Sequence, residues 1–440
     1  MESIKFNGFK LETRLIAQSP IIHFQPNDAG ATVRASELKP KLDRFLLKKI
    51  SDENKLGGDD PVKIADTLRK MPEYKDVFIS KDHIALDYKI QILCDGNTEE
   101  VKLGVLPSRA KGTTESYSIY YGNMGIKGSS EKKMGVFSDP LLRIICFKQK
   151  IRKSIERYLG EFFYVTNFGT MQDKGFGSFI PEKLNVDEKV YVNWLRNDIG
   201  SANCFRMSVV SQADRKKRCI DEFAVIKSFY GIMKSGQNFG GYIESFNVVY
   251  MKRMGMDSDK KWMKVKGIAP NIWKPENEVK VVKKATPLKN AKYTRALLGI
   301  SDTVSWKISC TSNDKEDITI TNVDSDPNGT GKALVERIPS PVFFKVIGNN
   351  IYITASTIPD QIYGLKFRFQ GVQEDILSTP QKSDFKNKMG FDIQGYLTEY
   401  GAYFNARMNK KRMNLERGVE RWINATNPWE LLSDQSSKQS

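Results

Sequence analysis

Residues 162–179 read FFYVTNFGTMQDKGFGSF, and this stretch gives the clearest indication of how the chain folds. Its aromatic start, residues 162–165, favours a strand, and a glycine-rich loop follows. Gly175 and Gly177 would let the backbone approach a phosphate closely, and Lys174 adds positive charge. The stretch lacks the Gly-Lys-Ser/Thr ending of a P-loop and the spacing of the dinucleotide-binding fingerprint. Two interpretations stay open, a phosphate-binding loop and a tight turn at the end of a strand.

The N-terminal part of the chain contains a second basic feature. We predict a strand over residues 2–24, a loop over 25–33 and an amphipathic helix that starts near Ser36. The basic edge of this helix supplies candidate phosphate contacts, because helix N-termini and arginine suit phosphate. The alternative is an ordinary solvated helix face. The candidates on this helix are Arg34, Lys39, Lys41 and Arg44.

The rest of the chain alternates helical and strand patterns. We predict helices over 139–160, 221–235 and 390–412, a strand pair within 186–210, strands over 84–94, 316–323 and 363–371, and a hairpin over 342–355. Residues 251–295 carry 13 Lys and Arg against four acidic residues, with Trp262 and Trp273 interleaved. This segment is predicted to be extended or loop-rich. It is either a flexible basic linker or a nucleic-acid contact.

The amino-acid composition limits the classes of function that the chain can have. The 440 residues carry 69 Lys and Arg against 52 Asp and Glu, a net charge of +17, which indicates a polyanionic partner such as nucleic acid. A basic protein kept soluble by its charge is the alternative. The chain has only two histidines, which disfavours histidine-based catalysis. Its five cysteines are odd in number and no two lie within four residues of each other, which disfavours zinc knuckles and a disulfide framework. We predict no cofactor, no metal, no membrane association and a cytoplasmic location.

The two basic features together resemble the RAMP superfamily of CRISPR proteins. The chain is most similar to the large target-capturing end subunit of the type III-B (Cmr) effector complex. Ser19-Pro20, then Arg34, Lys39 and residues 42–45 (LDRF), match the first strand and helix start of that family. Residues 167–169 (NFG) and 173–178 (DKGFGS) match its glycine-rich loop, and residues 337–341 (RIPSP) match the start of its later strands.

This resemblance implies an α+β fold of two ferredoxin-like (RRM-like) units with long insertions. We place the first unit at residues 1–245, a basic linker at 246–295 and the second unit at 296–440. It also implies an RNA-binding subunit that caps the backbone filament and helps to capture target RNA near the 3′ end of the guide RNA. Its partners would be guide RNA, target RNA and other RAMP subunits. Arg34, Lys39, Lys41, Arg44 and Lys174 would contact phosphates, with Gly175 and Gly177 shaping the loop. We expect Lys174→Glu with Arg44→Glu to weaken RNA binding and to leave folding intact.

Three other functions stay open. Backbone subunits of the superfamily cut target RNA with a loop aspartate and a divalent metal, and Asp28 lies in such a loop just after His23. Residues 27–30 (NDAG) are equally good turn chemistry. The guide-processing endonuclease of the superfamily usually relies on histidine or a Tyr/Lys set, which two isolated histidines fit poorly. A general RNA-binding protein would share the charge without the paired motifs. We predict no catalysis, with Asp28 the one candidate against that view.

Overall fold

The computed structural model describes eleven stretches of the chain, and the structural statements below concern these residues. They are 4–22, 32–80, 83–102, 134–209, 213–238, 242–269, 288–300, 302–307, 315–324, 338–412 and 430–432. Helices and mostly antiparallel sheets are mixed throughout, which confirms the predicted α+β class. None of the helices in these ranges is long and apolar enough to cross a bilayer.

The helices and strands carry the following bounds. The α-helices are α1 (Ala35–Glu53), α2 (Pro61–Arg69), α3 (Gln149–Val165), α4 (Glu188–Ile199), α5 (Arg215–Lys234), α6 (Phe246–Arg253), α7 (Asp259–Val265) and α8 (Ile393–Arg412). The strands are β1 (Lys10–Ala17), β2 (Lys89–Leu93), β3 (Thr98–Lys102), β4 (Met134–Ser138), β5 (Leu141–Ile145), β6 (Phe179–Pro181), β7 (Cys204–Ser208), β8 (Gln237–Asn238), β9 (Tyr242–Ile243), β10 (Asp257–Ser258), β11 (Ala291–Lys292), β12 (Thr303–Lys307), β13 (Lys315–Asn322), β14 (Val342–Ile347), β15 (Asn350–Ala355), β16 (Lys366–Gln370), β17 (Glu374–Ser378) and β18 (Glu430–Leu432).

The first sheet has the strand order β2-β5-β1-β6, with every neighbouring pair antiparallel. Its elements follow the chain as β1-α1-β2-β5-α3-β6, which is the β-α-β-β-α-β order of a ferredoxin-like unit. Leu11 and Leu15 of β1 are buried, whereas Lys10 and Glu12, on either side of Leu11 in sequence, are exposed. This alternation turns one face of the sheet toward the buried sides of α1 and α3.

The second sheet repeats the arrangement of the first. Its order is β14-β15-β7-β18, and its elements follow the chain as β7-α5-β14-β15-α8-β18. The predicted division at residue 245 assigns β7 and α5 to the first unit, whereas β7 pairs with β15 and α5 packs on α8 through Phe229 and Tyr400. The predicted ranges 1–245, 246–295 and 296–440 therefore do not coincide with the sheets. The limits of independently folding domains stay a prediction.

The structure gives a different secondary structure to three elements that the sequence predicts between residues 139 and 210. The helix predicted over 139–160 is strand β5 followed by α3, because residues 141–145 pair with β1 on one side and β2 on the other. The aromatic strand predicted over 162–165 is the last turn of α3. The strand pair predicted within 186–210 is α4 and β7, since Asp187 caps α4 at its start and Gly200 ends it with φ 69°. The first strand is also shorter than the predicted 2–24.

Three of the elements predicted after residue 210 are confirmed, and the prediction for the basic segment is wrong where the structure describes it. The helices over 221–235 and 390–412 are confirmed as α5 and α8, and the hairpin over 342–355 is confirmed as β14 and β15. The basic segment 251–295 is not extended where it is described, because it contains α7 and the buried Trp262, whose ring lies 5.4 Å from Phe369. Residues 270–287, with Trp273, lie outside the described residues.

Candidate nucleic-acid interface

Helix α1 presents one basic edge beside the glycine loop, here defined as residues 167–178. Arg34 occupies the N-cap position in an extended conformation, and its side chain makes no capping hydrogen bond. Glu37, Lys41 and Arg44 follow at spacings of four and three residues, so they share one face of the helix. Arg34 and Arg44 are exposed. Arg44 has no ion-pair partner within the described part of the chain.

The first half of the glycine loop packs directly on this edge. The backbone N–H of Gly169 donates to both carboxylate oxygens of Glu37, at 2.9 and 3.1 Å. Lys41 Nζ donates to Asn167 O at 2.9 Å and to Gln172 Oε1 at 2.6 Å. Lys41 also lies 4.9 Å from the centre of the Phe168 ring. These bonds fix the start of α1 against the loop and hold Lys41 in place, and Arg44 follows three residues later on the same face of the helix.

We call this surface, formed by Arg34, Lys41, Arg44 and residues 169–172, the α1–loop surface. Arg34 and Arg44 supply exposed guanidinium groups, which pair with phosphate oxygens through two parallel hydrogen bonds. The positive end of the helix dipole lies at Arg34 and adds to the same field. The sequence prediction placed these groups together, and the structure brings Arg34, Lys41 and Arg44 onto one side of α1.

Lys39 lies on a different side of α1. Its Nζ donates to Asp43 Oδ2 at 2.8 Å and to Leu86 O at 3.0 Å, and it sits 4.2 Å from the centre of the Tyr88 ring. Burial raises the pKa of the Asp43 carboxyl, against the opposing effect of Lys39. Lys39 is therefore engaged in the packing of α1 against the loop before β2.

Lys174 is placed in the interior. It is only 4% exposed, its Nζ contacts Asp173 Oδ2 at 2.8 Å, and it lies 3.8 Å from the centre of the Tyr230 ring. A backbone bridge joins Lys174 to Phe344 of β14. Lys174 thus links the first unit to the second sheet, and the structure gives it a structural role. Whether it ever contacts phosphate stays a prediction.

Gly175 and Gly177 are closely packed in the second half of the loop, and their predicted part in RNA binding stays a prediction. Both have positive φ, 88° and 67° respectively. A Cβ on Gly177 would lie 1.9 Å from Phe168 O, and a Cβ on Gly175 would lie 3.3 Å from Val346 of β14. The second half of the loop is buried between α5 and β14, so the alternative interpretation as a tight structural turn describes this half.

Lys345 of β14 is a residue that the sequence analysis missed. It is fully buried, and its Nζ donates to Phe163 O and Thr166 O at 2.7 Å and to Asn167 Oδ1 at 3.0 Å. Burial holds its pKa well below the usual lysine value, and the charge of Lys41 lowers it further. Lys345 satisfies the free carbonyls at the C-terminus of α3 and fixes the start of the loop. A single lysine in the apolar strand VFFKVI is the signal that could have found it.

The catalytic candidate cannot be placed. Asp28 and His23 lie outside the described residues, as does Arg337 of the matched RIPSP segment. The described residues that flank Asp28 in sequence are Ile22, whose carbonyl oxygen accepts from Thr170 N at 2.8 Å, and Thr32. Within the described stretches, no group of three or more His, Cys, Asp or Glu side chains is placed to hold a metal ion.

Comparison with known families covers almost the whole chain. No curated protein matches it. Residues 8–237 match the family model of the Cmr1 N-terminal domain, and residues 242–421 match that of the Cmr1 C-terminal domain. The N-terminal match alone spans more than half of the 440 residues, and the matches agree with the RAMP resemblance of the two motifs. The chain therefore belongs to the Cmr1 family of type III-B CRISPR RAMP proteins.

Proposed function

We propose that this Cmr1-family chain is an RNA-binding structural subunit of its type III-B effector complex. In this role it caps the backbone filament in the cytoplasm and helps to capture target RNA near the 3′ end of the guide RNA. Its partners are the guide RNA, the target RNA and other RAMP subunits. The net charge of +17 supports a polyanionic partner, because each bound phosphate requires neutralisation.

The observation that carries the proposal is the α1–loop surface. Arg44 is exposed and has no carboxylate partner in the described stretches, so its charge is available to a ligand. Lys41, between the two arginines, is fixed by the loop, so the surface is already formed before RNA binds. A preformed cationic surface binds at lower entropic cost than side chains that must be ordered on contact.

The same surface supports binding without catalysis. Among the described residues, Glu37 is the carboxylate that contacts this surface, and both of its oxygens accept from the Gly169 N–H while one also accepts from Lys41. A carboxylate held in this way is poorly placed to take a proton from a substrate. The surface therefore suits phosphate recognition better than general base chemistry.

The proposal is tested by charge reversal at the two exposed arginines. We expect Arg34→Glu with Arg44→Glu to lower the affinity of the reconstituted complex for target RNA at least tenfold in moderate salt. The slope of log K against log salt should fall by about 1 to 2, because two phosphate contacts are lost. Filter binding across a salt series measures both quantities.

A matched control reverses the charge at two exposed positions elsewhere, Arg368 of β16 and Lys386 in the segment between β17 and α8. Arg368→Glu with Lys386→Glu makes the same change in net charge and should leave the affinity within about twofold. Size-exclusion chromatography of both variants checks that the complex assembles. Equal losses in the two double variants, with intact assembly, would overturn the assignment of the α1–loop surface.

The position on the RNA is tested separately by cross-linking. Target RNAs that carry one photoreactive nucleotide at successive positions are bound to the guide-loaded complex. We expect cross-links to this chain only from nucleotides at or beyond the pairing partner of the guide 3′ end. Cross-links confined to the opposite end of the guide would contradict the proposed capping position.

A further inference from the structure

Two exposed phenylalanines form a pair at the end of the first sheet that lies away from the glycine loop. Phe9 immediately precedes β1 and is 52% exposed, and Phe147 follows β5 and is 69% exposed. Their ring centroids are 5.0 Å apart. Large aromatic side chains grouped on a surface commonly mark a binding site, whereas a single exposed one needs no explanation.

Backbone hydrogen bonds hold the main chain beneath the two rings in place, although neither ring is buried. Cys146 N donates to Phe9 O at 2.9 Å, which ties the start of β1 to the end of β5. Asn7 and Lys10 exchange two backbone hydrogen bonds around Gly8, whose φ of 62° closes the turn that presents Phe9. The pair is therefore a preformed platform.

A guanidinium group covers part of this platform. The Arg152 guanidinium lies 5.0 Å from the centre of the Phe9 ring, and its Nη1 donates to Cys146 O at 3.3 Å and Phe147 O at 3.4 Å. Arg152 makes no ion pair with any residue that the structure describes. Its charge is thus positioned beside two aromatic rings and is not neutralised by a carboxylate.

The charges around the pair are mixed, with the positive sign in excess. Lys5 is exposed and has no ion-pair partner in the described ranges, and Lys10 pairs with Glu12 at 3.1 Å. Beside Phe147, Lys148 pairs with Asp76 at 3.0 Å and lies 3.9 Å from Asp87, and near Phe9 the Glu156 carboxylate accepts from Phe6 N at 2.8 Å. Aromatic rings next to unneutralised cations suit a ligand that has both a flat π-face and a negative charge.

We propose that Phe9, Phe147 and Arg152 form a site for one unpaired nucleotide of single-stranded RNA. The base stacks on the more exposed Phe147 ring, whose plane is tilted 45° from that of Phe9, and its phosphate pairs with Arg152. This inference rests on the proposed RNA-binding function, and it adds a second contact point to the α1–loop surface. Phe9 precedes β1, which spans about 27 Å over its eight residues, whereas the glycine loop bonds to Pro20 and Ile22 beyond the other end of that strand, so the two are separate sites.

The platform fits RNA better than a protein partner. A hydrophobic protein contact favours a dry apolar centre from which charge is largely excluded. Here the Arg152 guanidinium lies against Phe9 itself, and Lys5 and Lys10 are exposed nearby. A nucleotide uses both the rings and the charge, and it does so without sequence preference because every base has a π-face.

The experiment compares ring removal with charge removal in the full-length chain. Fluorescence anisotropy with a labelled single-stranded RNA measures affinity over a salt series, and an RNA duplex of the same length serves as competitor. We expect Phe9→Leu with Phe147→Leu to weaken single-strand binding about tenfold with no change in salt slope, because leucine keeps the apolar volume and loses the π-face. Arg152→Gln should weaken binding and lower the salt slope by about 0.7, the single-strand value for one phosphate.

Two further variants separate stacking from general surface effects. Phe147→Trp should keep or strengthen binding, since tryptophan stacks at least as well. Val372→Ala with Met389→Ala, at two exposed apolar positions elsewhere, should have no effect. Unchanged binding by the double leucine variant, while Arg34→Glu with Arg44→Glu still lowers it, would overturn this site alone.

Three further outcomes test the proposed nucleotide site. Absence of RNA binding by the unmodified chain, both alone and within the reconstituted complex, would overturn this site together with the proposed function. Loss of partner subunits from the complex in the leucine variant, with unchanged RNA binding, would identify the platform as a protein contact instead. Photo-cross-linking of a 5-bromouridine RNA to peptides that contain Phe9 or Phe147 would support the site directly.

Discussion

The two halves of the glycine loop have different surroundings. Residues 167–172 lie against α1, where Glu37 and Lys41 hold them beside two exposed arginines. Residues 173–178 are inserted between α5 and β14, where Phe176 stacks on Phe223 at 3.9 Å and Ser178 Oγ donates to Val346 O. One short motif thus forms part of a candidate RNA surface and part of the joint between two sheets. The following predictions separate these two roles.

The largest effect is expected at Gly177 in the buried half. Gly177→Ala would place a Cβ 1.9 Å from the Phe168 carbonyl oxygen at a φ of 67°. Backbone cannot move aside easily, so we expect the free energy of unfolding to fall by about 3 kcal/mol or more. Urea unfolding followed by tryptophan fluorescence measures the change.

Gly200 is the matched control for this substitution. It has nearly the same φ, 69°, but nothing lies within 4 Å of an added Cβ. Gly200→Ala should cost about 1 kcal/mol from backbone strain alone. Equal costs for the two variants would show that the close approach of the loop to itself does not matter for stability.

A somewhat smaller effect is expected at Lys345, which anchors the start of the loop from β14. Lys345→Met would leave Phe163 O, Thr166 O and Asn167 Oδ1 without their donor. Unsatisfied buried acceptors are costly, so we expect destabilisation by about 2 kcal/mol. The exposed Lys366 provides the control, and Lys366→Met should change the unfolding free energy by less than about 0.5 kcal/mol. A stable Lys345→Met variant would refute the anchoring role.

The sequence could predict much of the fold where local patterns decide it. The apolar spacing of α1 and the Gly348-Asn349 turn of the β14–β15 hairpin are local signals, and both elements are present. Residues 141–145 show the opposite case, because their identity as a strand depends on β1 and β2, which are distant in sequence. Aromatic residues 162–165 favour a strand by propensity, yet packing keeps them in α3.

The candidate site was predictable only in part for the same reason. Lys39 and Lys41 belong to the same predicted basic edge. Lys39 turns toward Leu86 O, 47 residues away in sequence, and Lys41 turns toward the glycine loop. The sequence predicts Lys174 and Arg44 equally as phosphate contacts, whereas in the structure Lys174 is buried beside β14 and Arg44 is exposed. Burial by distant elements is not encoded in a local pattern.

Lys174 and Arg44 should therefore respond to substitution in opposite ways. Lys174→Met removes a buried amine from Asp173 and Tyr230, and we expect a loss of about 1 to 2 kcal/mol of stability with little change in RNA affinity below the unfolding transition. Arg44→Met should keep the unfolding free energy within about 0.5 kcal/mol and lower RNA affinity several-fold.

This contrast revises one expectation from the sequence. The sequence alone predicts that Lys174→Glu with Arg44→Glu leaves folding intact, but in the structure Lys174→Glu would place a buried carboxylate against the half-buried Asp173. We now expect that double variant to lose stability through residue 174. Weaker RNA binding by Lys174→Met, at unchanged stability, would reverse the assignment and restore Lys174 as a phosphate contact.

The last expected effect is a pH dependence of stability on the buried side of the comparison. Lys234 of α5 donates to Gly299 O at 2.6 Å, and burial lowers its pKa from 10.5 to about 7. Arg295 and Lys174 lower the pKa further, whereas Asp173 and Asp259 oppose them. Between pH 7 and 10.5 the unfolded chain binds more protons here than the folded chain, so this group makes stability rise with pH by at most about 1.4 kcal/mol per unit.

Substitution of Lys234 isolates that contribution from every other titrating group. The unfolding free energy of the unmodified chain minus that of Lys234→Met should be constant below about pH 6 and should increase steadily from pH 7 to pH 9. Arg44→Met, on the exposed side, should show no such trend, because a guanidinium keeps its charge over this range. A difference for Lys234→Met that does not vary with pH would mean that the amine keeps its ordinary pKa. Lys234 and the neighbouring cations Lys174 and Arg295 would then be better solvated than their packing indicates.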